Sequence, residues 1–400
     1  MQITVERESF NSALSSVKRV IEKRNAIPIL GNVMLSAENG VLSLFASDSE
    51  MESIVSIACE TACAGRLTLP AHALADMVKA APKGALVALE QVPGLPGVRA
   101  IGVTSKGKTT FEPCETPRVK VSTGRASATL TGIVADDMPR LGRLASGEMK
   151  AGAFDWMVSF KASAPAFKRL LEACQFAVST EETRYYLNGV FLHVVKGALV
   201  AVATDGHRLA KTSMDSPDMC GEMPGVIIPR ACVAELIKLL GKQGGAVHVA
   251  VNRAFVEFRI GGAVLLSKTI DGTFHDYARV VPSKNDRLVT VNRAAFSEAV
   301  KRISVLVKTR GAACKLTFEG NYLNVSVDNP EIGQISEKID AIWHSGPPLE
   351  IGFNARYLLD IAGVINGGDM LFRMGDSGTP AIITDPANGA EAFVLMPLRV

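Results

Sequence analysis

Long apolar runs are missing from this chain of 400 residues. Stretches such as 226–228 and 264–266 fall far short of the roughly 20 residues a membrane helix needs, so no such helix is expected. The opening MQITVERESF sets charges where a secretory leader would carry its apolar core, and the expected compartment is the cytoplasm. Cysteine is sparse: seven residues, at 59, 63, 114, 174, 220, 232 and 314, form no Cys-x-x-Cys pair. That argues against zinc and redox sites and for reduced thiols. An excess of either charge is also lacking, since 43 Lys and Arg against 40 Asp and Glu leave only +3. Any basic surface must therefore come from local placement.

The motifs of common catalysis are absent too. There is no Gly-x-x-x-x-Gly-Lys-[Ser/Thr] loop, no Gly-x-Ser-x-Gly elbow, no His-Glu-x-x-His and no Gly-x-Gly-x-x-Gly opening a helix, which removes support for nucleotide, hydrolase and zincin chemistry. The most polar cluster is Thr204-Asp205-Gly206-His207-Arg208. An Asp beside a His could orient an imidazole as a base, an enzyme reading in which His207→Ala destroys turnover. Asp-Gly after a strand is first a turn signal, however, and no partner nucleophile is evident. The expectation is a turn or binding surface, no enzyme activity, no cofactor and no metal.

What the chain does have is repetition. Its length suggests two or three domains, and one order of elements recurs three times. Each copy opens with an amphipathic helix beginning at a phenylalanine, at 10–21, 167–177 and 296–307. A paired-strand pattern follows around a Gly or Asn turn: VMLSAENGVLSLFAS, VFLHVVKGALVAVAT and KLTFEGNYLNVSV. Second helices come next, in LPAHALADMVKAAP, IPRACVAELIKLLG and FNARYLLDIAGVIN. Copies two and three start about 129 residues apart and copies one and two about 157, so copy one carries extra sequence. Most of the excess is assigned to 92–118, whose four prolines and several glycines favour a surface loop over regular structure. A smaller excess lies at 142–153. The predicted domains are 1–150, 151–284 and 285–400, of the α+β class.

The first helix of each copy is basic: Lys18, Arg19, Lys23 and Arg24, then Lys168 and Arg169, then Lys301 and Arg302. One charged helix face is ordinarily a solvated one. Three such helices on a common surface would make a track that holds phosphates without reading bases.

RYYLNGVFLH (184–193) followed by VATDGHRLA (202–210) resembles the central signature of bacterial beta sliding clamps, the beta subunit family of DNA polymerase III. IPILGN, VIIPR, DGTFHDYARVVP, EIGFNARYLLD and the terminal VLMPLRV extend the likeness over all three copies, most weakly at 89–152. The resemblance implies three repeated clamp domains, each with two helices packed on antiparallel sheets, and a head-to-tail homodimer closed into a ring on double-stranded DNA. It implies a processivity factor of the DNA polymerase III holoenzyme in DNA replication, with the replicative polymerase catalytic subunit, the clamp loader and repair proteins as partners. Their peptides would enter a pocket between domains two and three formed by Leu187, Thr204, Gly206, His207, Arg208, Leu209, Pro282, Val394, Leu395, Met396, Pro397, Leu398 and Arg399. Apolar walls suit leucine or phenylalanine anchors, and a methionine adapts to several partners. For DNA the likeness points to Arg24, Tyr185, Tyr186 and Arg230, and for the dimer contact to Ala128 against Val305 and Leu306. Two positions depart from the pattern: Glu181 replaces a neutral DNA-contacting side chain, and Ala128 an aromatic. The second leaves open an alternative, a monomeric clamp-like accessory protein that binds peptides without encircling DNA.

Overall fold

The computed structural model describes residues 1–21, 27–103, 109–142, 154–242, 244–306 and 313–399. Six helices are found among them: α1 (Arg7–Val17), α2 (Ala71–Ala80), α3 (Ala164–Gln175), α4 (Arg230–Lys242), α5 (Arg293–Ile303) and α6 (Ala355–Val364). Each of α1, α3 and α5 starts three residues before its phenylalanine, because the preceding strand runs straight into the helix. That places Phe10, Phe167 and Phe296 one turn in, and all three are fully buried.

The threefold order is complete in the backbone. A strand leads into the first helix at Gln2–Glu6, Val158–Ser163 and Arg287–Asn292. A hairpin follows: Asn32–Glu38 with Val41–Ser47, Gly189–Val195 with Ala198–Thr204, and Ala313–Glu319 with Tyr322–Asn329. Two-residue turns close these hairpins, with Glu38 opposite Val41 and Val195 opposite Ala198. Asn39 and Gly40 take φ of 50° and 79°, and Lys196 and Gly197 of 50° and 77°, the left-handed pair that matches the twist of antiparallel strands. A third strand comes next (Met51–Ala58, Arg208–Asp215, Gly333–Ser345), then two short strands in the first two repeats (Glu60–Cys63 and Gly65–Pro70, Met219–Gly221 and Val226–Pro229) and one in the third (Leu349–Asn354), then the second helix and three closing strands.

The stretch 92–118 corrects the expectation of a loop. Leu86–Val103 and Thr109–Thr123 form one long antiparallel hairpin, with pairing traced out to Val103 and Thr109. Past Glu90 the first of these strands no longer pairs with Gln2–Glu6, and before Arg118 the second does not pair with Ala126–Thr131. The excursion is thus a two-stranded ribbon whose outer edges need no ladder donors, so proline is tolerated there. Pro93 falls at the register shift between Val92 and Leu95.

Two compact units result, one of Met1–Lys161 and Lys238–Lys268, the other of Ala162–Ile237 and Thr269–Val400. In each, a sheet runs across the boundary between sequence repeats. In the first, Met51–Ala58 pairs with Ala263–Lys268, the last strand of the second repeat. In the second, Arg208–Asp215 pairs with Asn388–Leu395, the last strand of the third, inside a twelve-stranded sheet. A charge pair reinforces this second join. Arg169 on α3 donates from Nε and Nη2 to the two carboxylate oxygens of Glu391 at 2.6 and 2.5 Å, and from Nη2 to the Val364 carbonyl at 2.5 Å. Glu391 is 1% exposed. The forked guanidinium satisfies a carboxylate that could not remain there alone.

Among the described residues no helix is long and apolar enough to cross a membrane, and no cluster of three His, Cys, Asp or Glu is placed to hold a metal. Cys174 and Cys314 are buried; burial pushes the Cys314 thiol up to about 12, which keeps it protonated and unreactive.

Candidate functional site

The join between Arg208–Asp215 and Asn388–Leu395 ends at a turn, and a pocket opens beside that turn. Thr204, Asp205 and Gly206 make it tight. The Thr204 hydroxyl donates to the Arg208 carbonyl at 2.7 Å and accepts from the Gly206 N–H at 3.1 Å. Asp205 Oδ1 accepts from the backbone N–H groups of His207 and Arg208 at 2.9 and 3.0 Å, and Oδ2 from Arg208 Nε at 3.0 Å. Both carboxylate oxygens are thus spent on the turn and on Arg208, the local bonding expected of Asp in a turn, and they do not orient the exposed His207 ring. Gly206 has φ +88°, and a Cβ on it would lie 2.6 Å from Arg184 Nη1. A side chain here would be strained and would also displace Arg184.

Arg208 is held from every side. Nη1 donates to Asp360 on α6 at 2.6 Å, Nη2 to the Phe176 carbonyl at 2.6 Å, and the guanidinium lies 4.2 Å from the Tyr357 ring centre. Met396 N–H donates to the His207 carbonyl at 2.9 Å, and Leu398 N–H to the Gly352 carbonyl at 2.8 Å. The C-terminal residues are therefore fixed by backbone bonds at both ends of a short crossing.

The resulting cavity has a volume of about 160 Å³ and a floor of Leu187, Leu209 and Val394. Thr204, Gly206, His207, Arg208 and Met396 also line it, so eight of the expected pocket residues come together. Leu395 does not, because strand alternation sends it to the opposite, fully buried face. Pro282 lines a separate polar depression with Lys284, Asn285 and Arg287. Pro397, Leu398 and Arg399 do not line the cavity. Sequence reasoning missed Arg184, His275, Tyr277 and Val280, which complete the wall. All four fall within the quoted segments RYYLNGVFLH and DGTFHDYARVVP, so the signal was present but not resolved to single residues.

Three of the four DNA candidates surround one neighbouring turn. Tyr185 is 53% exposed and meets Tyr186 edge-on at 5.8 Å. The Arg230 N–H donates to the Asn188 carbonyl at 3.0 Å, which sets the exposed Arg230 beside the same turn. Tyr186 is half-buried, its hydroxyl 3.2 Å from His275 Nε2. Glu181 accepts from Arg184 Nε at 2.8 Å. Arg24 and Lys23 lie outside the described residues, as do 143–153 and Val400.

The basic first helices are less positive than their sequences suggest. Lys18 lies 3.9 Å from Asp76, Lys168 2.7 Å from Glu172, Lys301 2.9 Å from Glu298, and Arg302 2.5 Å from Glu337. Arg169 is turned inward onto Glu391. Of the residues expected at a dimer contact, Ala128 sits on the edge strand Ala126–Thr131. Val305 is 69% exposed and Leu306 half-buried in the turn Ser304–Leu306 after α5.

Comparison with known proteins agrees along the whole chain. Profiles of the N-terminal, central and C-terminal domains of the DNA polymerase III beta subunit match residues 1–141, 162–276 and 278–399. The beta sliding clamp of Caulobacter vibrioides is 38% identical over 404 residues, and that of Escherichia coli K12 31% over 405, each alignment covering all of both chains. The crystal structure of the Bartonella birtlesii clamp bound to griselimycin is 40% identical with a TM-score of 0.88, and that of a Pseudomonas aeruginosa clamp 31% with 0.85, again covering all of both chains. The chain belongs to the DNA polymerase III beta subunit family, the bacterial beta sliding clamps.

Proposed function

We propose that two copies of this chain close head to tail around duplex DNA and act there as a non-catalytic processivity factor in the cytoplasm. Polymerase, clamp loader and repair proteins would be tethered by peptides seated in the Leu187–Leu209–Val394 pocket.

The observation that carries the ring is the rule by which repeats join. The third strand of repeat one pairs with the last strand of repeat two, and the third strand of repeat two with the last strand of repeat three. By the same rule the third strand of repeat three seeks the last strand of a repeat one. In a single chain, the stretch from Gly333 to Asp340 pairs with Tyr322–Asn329 on one side only, and Ala126–Thr131 pairs only with Thr109–Thr123. Each is an open edge, which a sheet protein ordinarily covers. Two copies cover both edges with the pairing already used twice within each, a heterologous contact that closes on itself. Ala128 lies on the one edge, and Val305 and Leu306 flank the other. Domain limits near 150 and 284 place one such repeat in each domain.

Tyr185, Tyr186 and Arg230 offer stacking and phosphate contacts that carry no base sequence, which suits sliding. In the pocket, the apolar floor of Leu187, Leu209 and Val394 under a mixed polar and apolar wall suits a leucine- or phenylalanine-anchored peptide, and Met396 adapts its shape. Griselimycin, which the Bartonella relative binds, would compete with such a peptide.

Light scattering through a dilution series tests the closure. The expected mass is twice the 42.5 kDa of one chain down to submicromolar concentration. A monomer at micromolar concentration would favour the alternative, an accessory peptide-binding protein that does not encircle DNA.

A further inference from the structure

We propose that His193, one layer behind the pocket, is a positioning residue for peptide binding: it anchors the segment that carries Tyr277 and Val280 and so fixes one wall of the site. The inference rests on reading this pocket as the peptide site.

The wall has little backbone support of its own. Between the end of Ala263–Lys268 and the start of Arg287–Asn292, the only regular features are an isolated bridge from Ile270 to Ile227 and the single turn Tyr277–Arg279. Side chains must hold what a sheet ladder does not. His193 stands on Gly189–Val195, opposite Val200, where the ladder fixes its position. Its Nε2 and the Tyr277 hydroxyl meet at 3.0 Å, and the two rings are edge-to-face at 5.6 Å.

A stack ties the same segment down a second time. Phe191 lies over His193 at 4.4 Å and over Phe274 at 4.9 Å, the latter pair almost parallel at 7°. Phe274 is itself buried in the cluster that contains Leu187, Leu209 and Val394, the pocket floor. Tyr277 passes the constraint to Val280, whose N–H donates to the Tyr277 carbonyl at 3.0 Å. Tyr277 also packs on the floor cluster directly, and the imidazole adds the one polar tie that fixes how its ring is set there.

The chemistry suits a permanent anchor. Burial pushes the His193 imidazole down to about 4, so it is neutral at physiological pH, and burial with the nearby Asp276 raises the Tyr277 hydroxyl, which keeps its proton. Two neutral groups can share a hydrogen bond without stranding a charge behind the pocket. A preorganised wall spares the peptide the entropy of ordering it.

The test is a fluorescence anisotropy titration of the full-length protein with a fluorescein-labelled pentapeptide ending in Leu-Phe. Tyr277→Phe removes only the hydroxyl, and His193→Phe keeps the stack but not the bond. Each is expected to raise Kd about three- to tenfold, the scale of one buried hydrogen bond, while the melting midpoint falls by no more than about 4 °C and the fold is kept. The double variant should bind no worse than the weaker single one, because both remove the same interaction. Unchanged Kd in both single variants would overturn the proposal, as would effects that multiply in the double variant. Met396→Asp separates the two levels: if it binds like the wild type, the peptide-site reading fails; if it alone loses binding, only the role of His193 does.

Discussion

Met396→Asp is expected to weaken capture of a leucine- or phenylalanine-anchored peptide at least about a hundredfold, roughly 3 kcal/mol. Met396 is 40% exposed at the lip of the pocket, and its place is set by the bond from its N–H to the His207 carbonyl. The substitution therefore keeps the backbone where it is. It sets a carboxylate beside Leu187, Leu209, Val280 and Val394, where a bound apolar side chain would strip its water and offer nothing in return. The point change is a cleaner probe than removing residues 396–400. Truncation would also delete the Leu398 N–H bond to Gly352 and uncover the outer edge of Leu349–Asn354. Anisotropy with a labelled peptide reads the result, and affinity equal to the wild type would exclude this pocket as the docking site.

Arg169→Ala should cost about 3–5 kcal/mol of folding stability, the range for breaking a buried ion pair from one side. The change strips the forked partner from Glu391, which the surrounding sheet leaves 1% exposed, and frees the Val364 carbonyl as well. The penalty comes from a stranded carboxylate and not from the pair itself. Arg169→Met combined with Glu391→Leu should consequently recover most of the loss. Urea denaturation of the full chain measures both. A single variant within about 0.5 kcal/mol of the wild type would show that Glu391 reaches water or another donor once the arginine is gone. The same result would remove the case for an electrostatic lock between the second and third repeats.

The repetition was legible because local chemistry wrote it three times. The Asn39-Gly40 and Lys196-Gly197 turns fix hairpin register by backbone conformation, and the phenylalanines at 10, 167 and 296 mark one turn into each first helix. Thr204-Asp205-Gly206 was also readable as a turn. Partnership at a distance was not. Prolines at 93, 96, 113 and 117 looked like loop formers because nothing in the sequence tells which strands lose their outer neighbours. Arg169 looked like a surface cation because its partner stands 222 positions away. Val394 and Leu395, adjacent in the strand Asn388–Leu395, face opposite sides, and only the pairing with Arg208–Asp215 decides which one meets the pocket. Tyr277 reaches the wall through a contact with His193, 84 positions away, which its own segment does not announce.

The claim that most needs testing is topological linkage. Two copies that close edge to edge should hold DNA by encirclement and need no tight phosphate contacts, which accords with the ion pairs made by Lys168, Arg169, Lys301 and Arg302 on the described first helices. The direct measurement is retention of labelled protein, placed on nicked circular plasmid by a clamp loader, after gel filtration at moderate salt, before and after one restriction cut. The account predicts stable retention on the circle and rapid loss once the DNA has ends. Equal retention on circular and linear DNA would contradict it and point to ordinary surface binding.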